Sequence, residues 1–139
     1  MKHHSDQAFF AVIMAVCALA LARAQAGAPF PRLRDISKYE RLSSKDFLSA
    51  ACDAIPRRLS SVSGLDWMRA CAIIALVGIQ SGRIDIMHQY LGLYHTIVSM
   101  NGLHDETWWP KDMSVVETEE RRRLVRRSEE TSAKEISFC

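Results

Sequence analysis

DQAFFAVIMAVCALALARA, residues Asp6 to Ala24, is either a segment destined for removal or a helix at the centre of the molecule. The run from Ala8 to Ala22 is almost wholly apolar, with Lys2, His3 and His4 before it and Ala24-Gln25-Ala26 after it. A positive start, a short apolar middle and an A-x-A site describe a secretory signal peptide. A bilayer span takes about 20 apolar residues, so the run is short for that role. The order inside the run points elsewhere. Ala8, Ala11, Ala15, Ala18 and Ala22 recur at spacings of 3, 4, 3 and 4, which sets five methyl-sized side chains on one helix stripe. Phe9, Ile13 and Val16 flank it on one side and Phe10, Met14 and Leu21 on the other, so a second helix can come close over the alanines. Asp6 is out of place in a positive leader and well placed in a first helical turn capped by Ser5. The pattern favours a buried core helix, with a leader cleaved after Ala26 as the alternative.

Outward from this helix, Gly27-Ala28-Pro29-Phe30-Pro31 is a break, because proline disfavours helix at the residue before it. Arg32 to Leu42 reads as a loop or weak helix. Ser43 with Asp46 marks a helix start, Phe47, Ala51, Ala54 and Ile55 follow at helical spacing, and Pro56 stops the run. Ser63 with Asp66 repeats the start signal after a polar connection. From Leu65 to Ile79 only Asp66 and Arg69 carry charge, and a helix apolar all round is a buried one. Burying Trp67, Met68, Ile73, Ile74, Leu76, Val77 and Ile79 contributes roughly 1.5–3 kcal/mol each before entropy is subtracted. Cys71, Ala75, Gly78 and Gly82 form another small stripe, and Gly82 suits the left-handed position that ends a helix.

Ile84 opens the next helix, with Asp85 in its first turn. One stripe is Ile84, Met87, Leu91, Tyr94 and Val98, and the other is Ile86, Tyr90, Leu93, Ile97 and Met100. The stripes lie on nearly opposite sides, which predicts a sandwiched helix ending at Asn101-Gly102. The short link makes Leu65 to Met100 an antiparallel αα-hairpin. His104 to Met113 is a loop. Ser114 with Glu117 gives a third cap, and Glu117 and Glu119 each precede an arginine, Arg121 and Arg123, by four residues, the favourable order for helical ion pairs. Past Val125 there is little to bury, so the end reads as a frayed or disordered tail. No strand-like alternation of five residues occurs, and the fold class is all-α.

The hydrophobic fraction of 48% and charged fraction of 24% are those of an ordinary globular domain. A net charge of +2 leaves no global nucleic-acid footprint. Cys17, Cys52, Cys71 and Cys139 form no C-x-x-C pair, which argues for free thiols in a reducing compartment and against zinc, although a disulfide framework stays arithmetically possible. His88 and His95 share a helix face without the further partners a metal needs. Neither a nucleophile elbow nor a phosphate loop is present, so the chain reads as non-enzymatic, with no catalytic, cofactor or metal residue. Two constellations remain. Arg121, Arg122, Arg123, Arg126 and Arg127 are candidates for nucleic-acid or nuclear-import contact. However, six acidic and six basic side chains between residues 117 and 135 favour a solvated, paired face. Trp108 and Trp109 are a candidate interaction surface, or more simply a lid on the end of a helical core.

Certain pieces carry a resemblance: Asp66-Trp67-Met68-Arg69-Ala70, Gly78-Ile79-Gln80 with Gly82, Tyr90-Leu91-Gly92, Gly102-Leu103-His104-Asp105 with Trp109-Pro110, and Glu119-Glu120-Arg121-Arg122-Arg123-Leu124. In this order and spacing the stretch Ser63 to Leu124 resembles the fungal-specific transcription factor domain. That domain is the middle homology region of binuclear zinc-cluster factors, xylanolytic-activator-like members included. Asp6 to Ala24 resembles the family's first core helix and Lys38 to Arg57 its second, so the likeness covers about residues 6 to 124.

The resemblance implies a partial regulatory domain over residues 1–124 and a divergent tail over 125–139. It implies an irregular bundle of helical hairpins, incomplete at both ends, and a second stripe of Ile84 to Met100 left exposed for want of a neighbour. The implied role is regulation of DNA-templated transcription in the nucleus, through other domains of the factor or regulatory proteins. DNA would be reached only indirectly, with no membrane partner and no cofactor, and the oligomeric state is left open. Two departures stand out. The family's zinc is held by a six-cysteine cluster absent here, and its members continue after Glu-Arg-Arg-Arg-Leu into a long apolar helix where this chain has Val125-Arg126-Arg127-Ser128-Glu129. They point to a truncated gene product or a gene model read through an intron. The alternative function is a small secreted α-helical protein.

Overall fold

Five methyl-sized side chains in a row let helix backbones approach, and the fold is built on that approach. The computed structural model describes residues 2–25, 43–59, 62 and 64–138. It contains α1 (Lys2–Gln25), α2 (Ser44–Ala54), α3 (Leu65–Gln80), α4 (Ile84–Met100) and α5 (Val115–Phe138), with a 3₁₀ turn at Glu106–Trp108 and no strand among the described residues. The fold is all-α. The chain divides into two compact units, Met1–Leu93 and Tyr94–Cys139, with the boundary inside α4. The Gly27-to-Pro31 break, the weak segment to Leu42 and the expected cap at Ser63 lie outside the described residues.

In the first unit Ala8, Ala11, Ala15, Ala18 and Ala22 are all buried, and α1 lies against both α2 and α3 with Cα atoms within 8 Å. The alanine stripe is therefore a core face. Two side chains fix its register. Ser44 Oγ donates to the Ala18 carbonyl at 2.8 Å, and Gln7 Nε2 donates to the Ala54 carbonyl at 2.9 Å. The start of α2 meets the end of α1 and the end of α2 meets its start, so the two run antiparallel. Helix α1 begins at Lys2, not after a cap at Ser5, since no glycine or proline upstream stops it. Ser43 does cap α2, its hydroxyl accepting from the Lys45 amide at 3.2 Å.

Helix α3 supplies the largest share of the buried apolar side chains among the described residues: Trp67, Met68, Ala70, Cys71, Ile74, Ala75 and Val77. Its first residue follows Gly64 at φ 100° without a side-chain cap, and Asp66 instead pairs with Arg69 at 2.7 Å. Its end is a Schellman turn, with the Arg83 amide on the Gly78 carbonyl at 2.8 Å and the Gly82 amide on that of Ile79 at 3.2 Å. Gly82 takes φ 70°, as its place in the sequence predicts. Gly78 has a separate reason to be glycine. A Cβ there would stand 2.8 Å from the Met87 amide nitrogen and 2.9 Å from the Arg83 carbonyl. Because both are backbone atoms, Gly78→Ala must displace the turn, and a loss of about 1–3 kcal/mol in urea denaturation is the expected result.

From both stripes of α4, Tyr90, Leu91, Tyr94, Ile97 and Val98 are buried, while Ile84 and Met100 at its ends are exposed. The expected bare second stripe is thus a correction, since Tyr90 and Ile97 belong to it.

In the second unit α4 closes with another Schellman turn: Gly102 at φ 60°, the Leu103 amide on the Val98 carbonyl at 3.0 Å, and both of those side chains buried. Tyr94 Oη donates to the Leu124 carbonyl. Burial raises the Tyr94 pKa to about 12, so the hydroxyl keeps its proton and remains a donor. Ser114 caps α5, its Oγ accepting from the Glu117 amide at 3.2 Å. The helix runs to Phe138, over most of the stretch from residue 125 that the sequence marks as a tail. Glu, Arg, Ala and Lys are strong helix formers and no glycine or proline interrupts them. Such residues favour a helix without an apolar face to bury.

Candidate interaction surfaces

The loop after α4 separates the two adjacent tryptophans. Asp105 accepts from the Thr107 amide at 2.9 Å and from its hydroxyl at 2.6 Å. These bonds hold the Asp105 carboxyl below the usual carboxylate range, the hydroxyl first and the amide second. The tight turn leaves Trp108 80% exposed and Trp109 8% exposed. Trp109 is buried, with the Arg121 guanidinium 5.9 Å from its ring centroid. Trp109 Nε1 and Arg121 Nε are buried without an acceptor among the described residues, a cost set against that stacking. Of the two, Trp108 is the one open to solvent.

The arginine run is largely committed. Arg121 reaches Glu117 at 3.6 Å and Arg123 reaches Glu119 at 3.5 Å, the two helical pairs that the spacing predicts. Arg122 grips Glu106 with two bonds, Nε to Oε1 at 2.8 Å and Nη2 to Oε2 at 2.9 Å. That grip holds Glu106 below its ordinary range and raises Arg122. Arg126 and Arg127 are exposed. We expect Arg122→Gln to return the Glu106 pKa toward the ordinary carboxylate value, read by an NMR titration of the side-chain carboxyl carbon. An unchanged titration would mean that the pair does not form.

Cys17, Cys52 and Cys71 are free thiols. Burial pushes Cys71 up to about 12. Burial also raises Cys52, partly offset by a hydrogen bond with Tyr90. Both stay protonated at neutral pH, and a protonated thiol is a poor nucleophile. His95 sits edge-on to Tyr94 at 5.8 Å, and His88 is exposed. Among the described residues no group of three His, Cys, Asp or Glu is arranged to hold a metal ion.

The outer face of α1 is a feature that the sequence reading did not single out as a surface. Phe9 is 59% exposed, Phe10 46%, Ile13 39% and Val16 48%. The helix buries its small side and shows its large one, the reverse of an ordinary amphipathic helix. Asp6–Gln25 is also long and apolar enough, by length and composition, to cross a membrane, a test that core helices and signal sequences pass as well. Leu76 and Ile79 on α3 are exposed too. The chain matches no protein family, curated protein or solved structure in comparison.

Proposed function

We propose that the chain is a non-enzymatic, α-helical regulatory or interaction module of DNA-templated transcription. It corresponds to part of the middle homology region of a fungal zinc-cluster factor, with no six-cysteine cluster among these residues, and acts in the nucleus through other domains of the factor or regulatory proteins. The observation that supports this reading is the burial of the α1 alanine stripe on α2 and α3, which fits the first core helix that the resemblance implies. The exposed large side chains of α1 and α3, together with Trp108, give such a module contact surface. The pairing of Arg121, Arg122 and Arg123 with carboxylates supports a role in which DNA is reached only indirectly.

The test is a fusion of the full chain to an unrelated DNA-binding domain upstream of a reporter, with the chain's own location followed by a fluorescent tag. A change in transcription, with nuclear accumulation, is expected. A silent fusion excluded from the nucleus would sink the reading.

A second reading, a small secreted α-helical protein, is favoured by the exposed Phe9, Phe10, Ile13 and Val16 and by the length and hydropathy of Asp6–Gln25. Mass spectrometry of the N-terminus separates the two. A mature chain beginning at Gly27 establishes secretion and removes the first reading.

A further inference from the structure

The outer face of α1 is self-complementary. Asp6, Phe9, Ile13, Val16, Ala20 and Arg23 are all exposed and follow one another at spacings of 3, 4, 3, 4 and 3. An average step near 3.5 residues keeps such a seam in line when two helices pack at a shallow angle. At 1.5 Å per residue the seam is about 26 Å long. Its centre falls between Met14 and Ala15, and about that centre the order reads as its own complement. In an antiparallel pair Asp6 of one copy stands beside Arg23 of the other, Phe9 covers Ala20, and Ile13 meets Val16. Two-fold symmetry repeats each contact. The alternatives fail on the same residues. A parallel pair sets Asp6 on Asp6, Arg23 on Arg23 and Phe9 on Phe9, so like charges meet and the largest side chains collide. A lipid surface would bury the apolar middle but gives no use to opposite charges at the two ends.

We propose that two copies of this chain associate antiparallel through the outer face of α1. The seam is one helix wide, near the lower end of what stable interfaces bury, so the dimer dissociates in the micromolar range. The pairing needs α1 retained, but it does not depend on a role in transcription.

The test is sedimentation equilibrium of the full chain from about 1 to about 200 µM at low salt, where exposed charge pairs are least screened. Intact mass confirms α1 in every sample, so a clipped N-terminus is not mistaken for failure. A concentration-dependent dimer is expected. Asp6→Arg alone and Arg23→Asp alone each turn two attractions into two repulsions and weaken association about tenfold. The double variant D6R/R23D restores it. Ile13→Glu abolishes it while helicity by circular dichroism is kept. A chain monomeric throughout overturns the proposal, as does one that is monomeric but binds phosphatidylcholine vesicles. Single reversals without effect, or a double variant as weak as the singles, also overturn it.

Discussion

Replacing Ala15 with leucine should cost the first unit about 3 kcal/mol, at the upper end of what overpacking does to a filled core. Ala15 is fully buried on a helix that touches two others. The stripe works because nothing larger than a methyl stands between the backbones, and an isobutyl group at its middle must push α1 away from α2 or α3. Against a total stability of about 5–15 kcal/mol for a domain, that is a large share. The control is two residues away. Ile13→Gln changes the chemistry more, but Ile13 is exposed, and a loss below about 1 kcal/mol is expected when the chain is dilute. Urea denaturation followed by circular dichroism ranks the two variants. If Ile13→Gln proved the more damaging, the buried face of α1 would be the wrong one.

Trp67→Ala should cost about 3–5 kcal/mol, the range for removing a large aromatic from a core that cannot close the space. Trp67 heads the fully buried side chains of the first unit, on a helix whose small neighbours Ala70, Cys71 and Ala75 cannot reach into the gap. The near-ultraviolet circular dichroism of the buried indole should fall at the same time. A loss below about 1 kcal/mol would show that Trp67 lies at the surface.

What could be read in advance divides along physical lines. The alanine stripe, Gly82 and Gly102, and the caps at Ser43 and Ser114 all express local rules, and the structure places each as those rules predict. Ser44 shows where local rules stop. It sits one residue after the cap, yet one residue is about 100° around a helix, and that turn converts an exposed cap into a buried bond to Ala18. Glu106 lies 16 residues from Arg122 in sequence, so no helical spacing could join them. Trp108 and Trp109 differ only in which side of a turn they occupy. The large flank of α1 could be placed beside the stripe, but whether anything covered it depended on neighbours that sequence order does not reveal. The helix through Phe138 was hidden for the opposite reason: its residues favour helix without needing to bury anything.

Everything in this account depends on α1 being a standing part of the core. Hydrogen–deuterium exchange of the intact chain, followed by mass spectrometry of its peptides, measures that directly, because amides in a packed helix exchange only when the unit opens. The account predicts that the α1 amides from Ala8 to Ala22 are protected to the same degree as those of α3 from Trp67 to Val77. Full exchange of the α1 amides within seconds, while α3 stays protected, would contradict it.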